Sequence, residues 1–397
     1  MNITIEPGKL SGIIPAIPSK SVAHRVLICA AFADSETRIC LNDVNADIEA
    51  TANCLRALGA DIQITAEGYL ISPVKKIPEK AVLPCAESGS TLRFLLPVVG
   101  ALGVDATFLT EGRLGMRPLS PLWEEMERMG CTLWRENRTI RCNGKLKSGE
   151  YRIAGNVSSQ FISGLLFAGV LMDEGISICI LGNPESKPYI TLTLEALMTF
   201  GVMAEGLQVA GCSAFHSPGC IDVDGDWSNG AFFLTAKALG SDVTVTGLQE
   251  DSVQGDRAIL SCLSEMVHNT YIDTSDIPDL IPILSIYAAA NEGAVFTNIQ
   301  RLRLKESDRV ESVIRMIKSL GGSASATDST LTIRGTGLRG GTVDSCNDHR
   351  IAMAAAIGAT VCKEKVTILG AEAVNKSYPR FWKDYRTLGG NYEQHIR

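Results

Sequence analysis

The 397-residue sequence predicts an α/β chain built from repeats, three to each half. Helix ends of one pattern recur at a fixed period. The stretch 55–62 resembles 126–133 and 197–204, and the glycines within them, Gly59, Gly130 and Gly201, stand 71 residues apart twice over. A second pair, 317–322 and 386–390, carries Gly321 and Gly389, 68 residues apart. Strand-like apolar runs follow at 62–64, 133–134 and 331–333. Each is a helix halted by a left-handed glycine and followed by a strand. A unit of roughly 55–70 residues is too long for a solenoid repeat and suits a βαβ unit with an added hairpin. The stretch 263–268 reads as a degenerate sixth copy.

The halves divide near 221–226, where the third repeat ends and a new helix over 228–239 follows. A second crossing falls at 13–18, where two prolines precede a helix, so the first residues go with the C-terminal half. The expected domains are 1–17 plus 226–397, discontinuous, and an inserted 18–225.

With 45% apolar and 20% charged residues the chain can bury a large core. A net charge of −7 argues against broad binding to nucleic acid or an anionic membrane. Residues 1–10 lack a basic-then-apolar signal segment, and the apolar stretches near 161–172 and 351–361 are too short or too rich in small residues to cross a bilayer. Twelve cysteines without a CxxC pair read as reduced thiols, mostly core fillers. A cytoplasmic monomer without metal or cofactor is the expectation.

Five expected helices open with hydroxyl, amide or cationic residues: Ser19-Lys20-Ser21, leading to Arg25; Ser88-Gly89-Ser90-Thr91, leading to Arg93; Ser158-Ser159-Gln160; Ser186-Lys187-Pro188-Tyr189; and Asp348-His349-Arg350. Each is first an ordinary N-cap. A helix start also offers unpaired N–H groups and about half a positive charge. Lys20, Arg25 and Arg350 add cations at the wrong end for helix stability, and an anionic ligand would repair that conflict.

The densest charge lies at 303–309, where Arg303, Lys305, Glu306, Asp308 and Arg309 precede an amphipathic helix. Such a cluster is either a solvated helix start or an anion site with acid–base capacity. One motif is a decoy. Gly335 to Gly340 fits GxGxxG, but the following residues read as a strand, so a hairpin turn is expected rather than a dinucleotide site. The sequence contains no P-loop and no nucleophile elbow.

Ten motifs in register resemble the enolpyruvyl transferases, in particular those acting on shikimate 3-phosphate. They are Ser19-Lys20-Ser21 with Arg25; residues 88–93; Arg113 through Arg117-Pro118; 158–161; 186–189; Asp226 and Ser228 through Phe233; Ile277-Pro278-Asp279; 305–309; 348–353; and Lys376-Ser377-Tyr378-Pro379. The resemblance implies two similar domains, each of three βαβαββ units forming an inside-out α/β barrel, with helix starts directed to an interdomain cleft. It implies transfer of the carboxyvinyl group of phosphoenolpyruvate to the 5-hydroxyl of shikimate 3-phosphate, on the shikimate pathway to chorismate and aromatic amino acids.

The two substrates together carry about −5 to −6. Seven cations answer them: Lys20, Arg25, Arg117, Lys305, Arg309, Arg350 and Lys376. By the resemblance Lys20, Ser21, Arg25, Ser158, Ser159, Gln160, Ser186, Asp279 and Lys305 hold shikimate 3-phosphate. Lys20, Gly89, Arg117, Gln160, Arg309, Arg350 and Lys376 surround phosphoenolpyruvate. Asp279 is the expected base, with Glu306 and Lys20 for proton transfer at C3. Gly89 leaves room for the ligand, so the inhibitor glyphosate should compete there with phosphoenolpyruvate.

The sequence departs from the pattern at Glu87 and Arg301, where relatives often have Asn, which puts those two contacts in doubt; Glu87 is expected to pair with a neighbour such as Arg93. Rival readings are a UDP-N-acetylglucosamine enolpyruvyl transferase and a non-catalytic binder of phosphorylated metabolites. Lys20-Ser21, where the first rival has Lys-Asn, and a loop 110–118 without cysteine disfavour it. Asp279 together with Glu306 disfavours the second. RNA 3′-phosphate cyclases share the repeat architecture, but the acidic charge disfavours them.

Overall fold

A computed structural model of the chain describes residues 1–211, 214–268 and 270–395. The chain divides into two compact units, Pro18–Val223 and Met1–Ile17 with Asp224–Arg397, each with its own apolar core.

The inserted unit repeats one topology three times, in three four-stranded sheets. Strand Lys80–Ala86 pairs parallel with Asp105–Thr110, which pairs antiparallel with Thr139–Gly144, and that with Cys131–Glu136. The helix Gly89–Leu102 makes the parallel crossover. Gly149–Ala154, Ile176–Leu181, Gln208–Val209 and Ala204–Glu205 repeat the pattern around the helix Ser159–Val170. The remaining sheet closes the unit on itself, because its first strand is the late Cys220–Asp222, paired parallel with Thr37–Cys40.

The sheets lie outside and the helices inside. Lys80–Ala86 alternates exposed and buried residues, so one face meets water, whereas Gly89–Leu102 is buried along nearly its whole length. This requires close helix approach. A Cβ on Gly164 would lie 2.4 Å from the Arg93 carbonyl oxygen, so only glycine lets Ser159–Val170 seat against Gly89–Leu102.

The other unit has two such sheets. One holds Tyr271–Asp273, Gly293–Thr297, Thr330–Arg334 and Ser323–Ala326. In the other, Gly341–Asp344 pairs with Val366–Leu369, and the early strand Asn2–Ile5 lies between Val366–Leu369 and Tyr392–His395. Among the described residues its third sheet has two strands, Ser11–Pro15 and Asp242–Thr246, paired parallel. The degenerate copy expected at 263–268 corresponds to the short helix Ile259–Glu265, with no hairpin of its own among the described residues. The five stop glycines all adopt positive φ, 75° at Gly201 and 85° at Gly389, as the helix-ending pattern requires.

One expectation is corrected. Residues 335–340 do not form a hairpin turn: Thr330–Arg334 and Gly341–Asp344 belong to different sheets, and the glycine-rich segment links them. A strand must follow in either case, so local pattern does not separate the two arrangements. The rejection of a dinucleotide motif stands, since no helix begins there.

Candidate active site

Among the described residues seven helices begin with a side-chain cap, from Ser19, Asn45, Ser88, Ser158, Asp226, Asp308 or Asp348. Each cap satisfies one N–H and fixes the entry of the chain, leaving others turned outward. Ser186 differs from the expected N-cap. It takes the left-handed conformation, φ 56°, and its side chain does not cap. Pro188 in the first turn lacks an N–H and reduces the need for one.

In the inserted unit Lys20, the first residue of the helix Lys20–Ala31, pairs with Asp47 at 2.9 Å. Asp47 lies in the first turn of the helix Ala46–Ala57. The sequence reading missed it, although Asn45 with an acid two residues on is a helix-start signal. Arg25 is buried, and its guanidinium donates to Thr193 Oγ1 (2.8 Å), the Ser21 carbonyl (2.6 Å), the Tyr189 carbonyl (2.7 Å) and Ser163 Oγ (3.4 Å) while lying over the Phe94 ring. Its acceptors there are all neutral, and burial pulls its pKa down to about 10. Arg25 thereby ties the Ser21 turn to the helix Lys187–Thr199, next to Ser186.

A second cluster forms at Gly89. A Cβ there would lie 2.7 Å from Arg93 Nη1 and 2.9 Å from Arg117 Nη1, so both guanidiniums crowd this helix start. Gln160 donates to Ser90 Oγ (2.8 Å) and accepts from Arg93 (3.0 Å). Ser158 caps the helix that carries Ser159 and Gln160. The Glu87 carboxyl lies over Gly112, where a Cβ would meet it at 2.6 Å.

The other unit gathers its charges around Asp279. Lys305 lies 3.4 Å from one carboxylate oxygen and Arg309 2.7 Å from the same one, while Arg350 approaches the other at 3.2 Å. Arg309 also binds Glu306 (2.8 Å) and Asp348 (3.1 Å), and its side chain has no exposed surface. Asp348 was read only as a helix opener. It accepts from Arg309, from the Ser307 hydroxyl (3.1 Å) and from the Arg350 N–H (3.0 Å) at once, which locks the 305–309 turn to the helix His349–Gly358. Lys376 donates to the Asn347 carbonyl at 2.8 Å, beside that helix start.

Burial alone would raise the Asp279 pKa, but Arg350, Lys305 and Arg309 outweigh it and hold the carboxyl well below the ordinary range. Burial draws Lys305 down to about 8, with Asp279 opposing. Asp256, buried and accepting from the Ser228 hydroxyl, is raised to about 6 by burial and by Asp279, against the pull of Arg350. The structure thus assembles Asp279, Lys305, Glu306, Arg309, Arg350 and Lys376 in one unit. In the other it assembles Gly89, Arg117 and Gln160, with Lys20, Ser21 and Arg25 on a neighbouring helix. Among the described residues no group of three or more His, Cys, Asp or Glu stands ready for a metal.

Two repeat-built units with cations gathered at helix starts define a protein suited to holding small, multiply charged acids. Residues 5–385 match the family model described as EPSP synthase (3-phosphoshikimate 1-carboxyvinyltransferase). Curated relatives named 3-phosphoshikimate 1-carboxyvinyltransferase, from Clostridium kluyveri and Clostridium beijerinckii, are each 38% identical over 99% of this chain and 98% of theirs. The chain belongs to the EPSP synthase family. Its fold is like that of an EPSP synthase from Acinetobacter baumannii, with TM-score 0.80 and 24% identity over 99% of this chain and 100% of the other. It is also like the enolpyruvyl transferase NikO from Streptomyces tendae, with TM-score 0.78 and 17% identity over 100% and 99%.

Proposed function

We propose that this chain transfers the carboxyvinyl group of phosphoenolpyruvate to the 5-hydroxyl of shikimate 3-phosphate and releases phosphate. The observation that carries the reading is the convergence of Lys305, Arg309 and Arg350 on one carboxylate, Asp279. Lys305, Arg309 and Arg350 present donors that an anionic ligand can take over from Asp279, and the acid suits a hydroxyl.

The 5-oxygen attacks C2, its proton passes to Asp279, and C3 gains a proton from Glu306 or Lys20. The C2–O bond to phosphate then breaks and C3 gives up a proton, restoring the double bond. With three cations on it Asp279 is a weak base. A bound phosphate or carboxylate draws Lys305 and Arg350 away and raises its basicity. Lys20, Ser21, Arg25, Ser158, Ser159, Gln160, Ser186, Asp279 and Lys305 hold shikimate 3-phosphate. Gly89, Arg117, Arg309, Arg350 and Lys376, with Lys20 and Gln160, hold phosphoenolpyruvate. Both clusters serve the same reaction.

We place the enzyme as a monomer in the cytoplasm. The eleven described cysteines are all free, which suits a reducing compartment, and no helix among the described residues is long and apolar enough to cross a membrane.

The test is phosphate release from phosphoenolpyruvate with and without shikimate 3-phosphate. Release that requires both supports the assignment. Release with UDP-N-acetylglucosamine in place of shikimate 3-phosphate overturns it.

A further inference from the structure

We propose that His24 is a positioning residue for the start of the helix Gly89–Leu102, acting through a one-way chain of hydroxyls. The inference rests on the assignment of that helix start to phosphoenolpyruvate.

Four buried side chains from three helices form the chain. His24 Nδ1 lies 2.6 Å from Thr51 Oγ1, Thr51 Oγ1 lies 2.6 Å from Thr91 Oγ1, and the Thr91 hydroxyl donates to Ser88 Oγ at 2.7 Å. A hydroxyl has one hydrogen to give. Thr91 spends its own on Ser88, so it accepts from Thr51. Thr51 has then spent its own, so it accepts from His24. The imidazole therefore carries its hydrogen on Nδ1, and Nε2 is bare. Nε2 is buried and has no hydrogen-bond partner.

A leucine at this place would bury no orphaned nitrogen, so the histidine sacrifices local stability. What it gains is a fixed direction for three hydrogen bonds. Burial, with Lys20 and Arg25 nearby, keeps the ring neutral, so the one ring hydrogen sits on Nδ1 and Nε2 carries none. At the far end Ser88 Oγ accepts from both the Thr91 hydroxyl and the Thr91 N–H (3.3 Å), which fills its acceptor capacity and fixes the N-cap. The first N–H groups beyond the cap, those of Gly89 and Ser90, are the ones a helix start presents to an anion. His24 also meets the Phe94 ring edge-on at 6.3 Å, which fixes the imidazole plane.

His24→Leu breaks the chain at its source, and Thr51→Val breaks it one link on. Each is expected to lower kcat/KM for phosphoenolpyruvate about tenfold, with KM for shikimate 3-phosphate within about twofold. The double variant should fall no further than either single one, because both cut the same chain. His24→Asn, whose amide N–H can stand in for Nδ1–H, should restore most of the loss. Nitrogen NMR of histidine-labelled wild-type protein at neutral pH should show His24 protonated at Nδ1 and bare at Nε2.

A proton on Nε2 overturns the chain. Equal rises in both KM values, an additive double variant, or His24→Asn no better than His24→Leu overturns the positioning role. Should wild-type protein release no phosphate from the substrate pair, the functional assignment fails, while the NMR result still decides whether the chain exists.

Discussion

The Arg309 guanidinium donates to the Asp279 carboxylate at 2.7 Å, with its own side chain wholly buried. Arg309 also holds Glu306 and Asp348, and Asp279 also faces Lys305 and Arg350. Neither residue can be removed without leaving a buried charge unbalanced.

Asp279→Asn should therefore cut turnover about 100-fold or more while changing KM for either substrate only a few-fold, because the amide keeps the volume but cannot take a proton. Asp279→Ala should also lose about 3–5 kcal/mol of stability, since three cations lose their shared counter-charge. Steady-state kinetics and chemical denaturation separate the two effects. Near-normal turnover in Asp279→Asn removes this residue as the base.

Lys305 provides a pH signature. Its folded pKa, about 8, lies below the ordinary value of about 10.4. Between these values the unfolded chain binds the extra proton, so stability rises with pH across that window and the full cost of burying the ammonium is present below it. Ligand binding runs the other way. KM for shikimate 3-phosphate should climb as pH passes about 8 and the amine loses its charge. In Lys305→Arg that rise should vanish, since arginine stays charged. A KM profile that is flat for wild-type protein up to pH about 10 contradicts the role given to Lys305.

Gly89→Ala places a methyl against the ends of Arg93 and Arg117. Gly89 does not take a positive φ, so the fold should lose less than about 1 kcal/mol. Both guanidiniums must shift, and KM for phosphoenolpyruvate should rise several-fold. Glyphosate, competing for the same place, should weaken by a larger factor. Unchanged inhibition shows that Gly89 does not line that site.

Much of the fold is legible in the sequence because helix-stop glycines are chemically specific: Gly59, Gly130, Gly201, Gly321 and Gly389 all take the positive φ that their pattern implies. The link at 335–340 was misread because strand pairing partners are set by tertiary contacts, and a glycine-rich turn serves either connection. In the candidate site the cations were legible and their counter-charges were not. Asp47 and Asp348 look like ordinary acidic residues at helix starts, and only the folded chain shows Lys20 and Arg309 against them. His24 was hidden for the same reason, since Thr51 and Thr91 lie 27 and 67 positions away and nothing local joins them to it.

The claim that both units serve one reaction is tested most directly by one kinetic comparison. KM for phosphoenolpyruvate, at saturating shikimate 3-phosphate, is measured for Arg117→Ala in the inserted unit and for Lys376→Ala in the other. Each loss of a cation should raise that KM about tenfold or more. If either variant leaves the KM at the wild-type value, that unit's cluster does not hold phosphoenolpyruvate and the account is wrong.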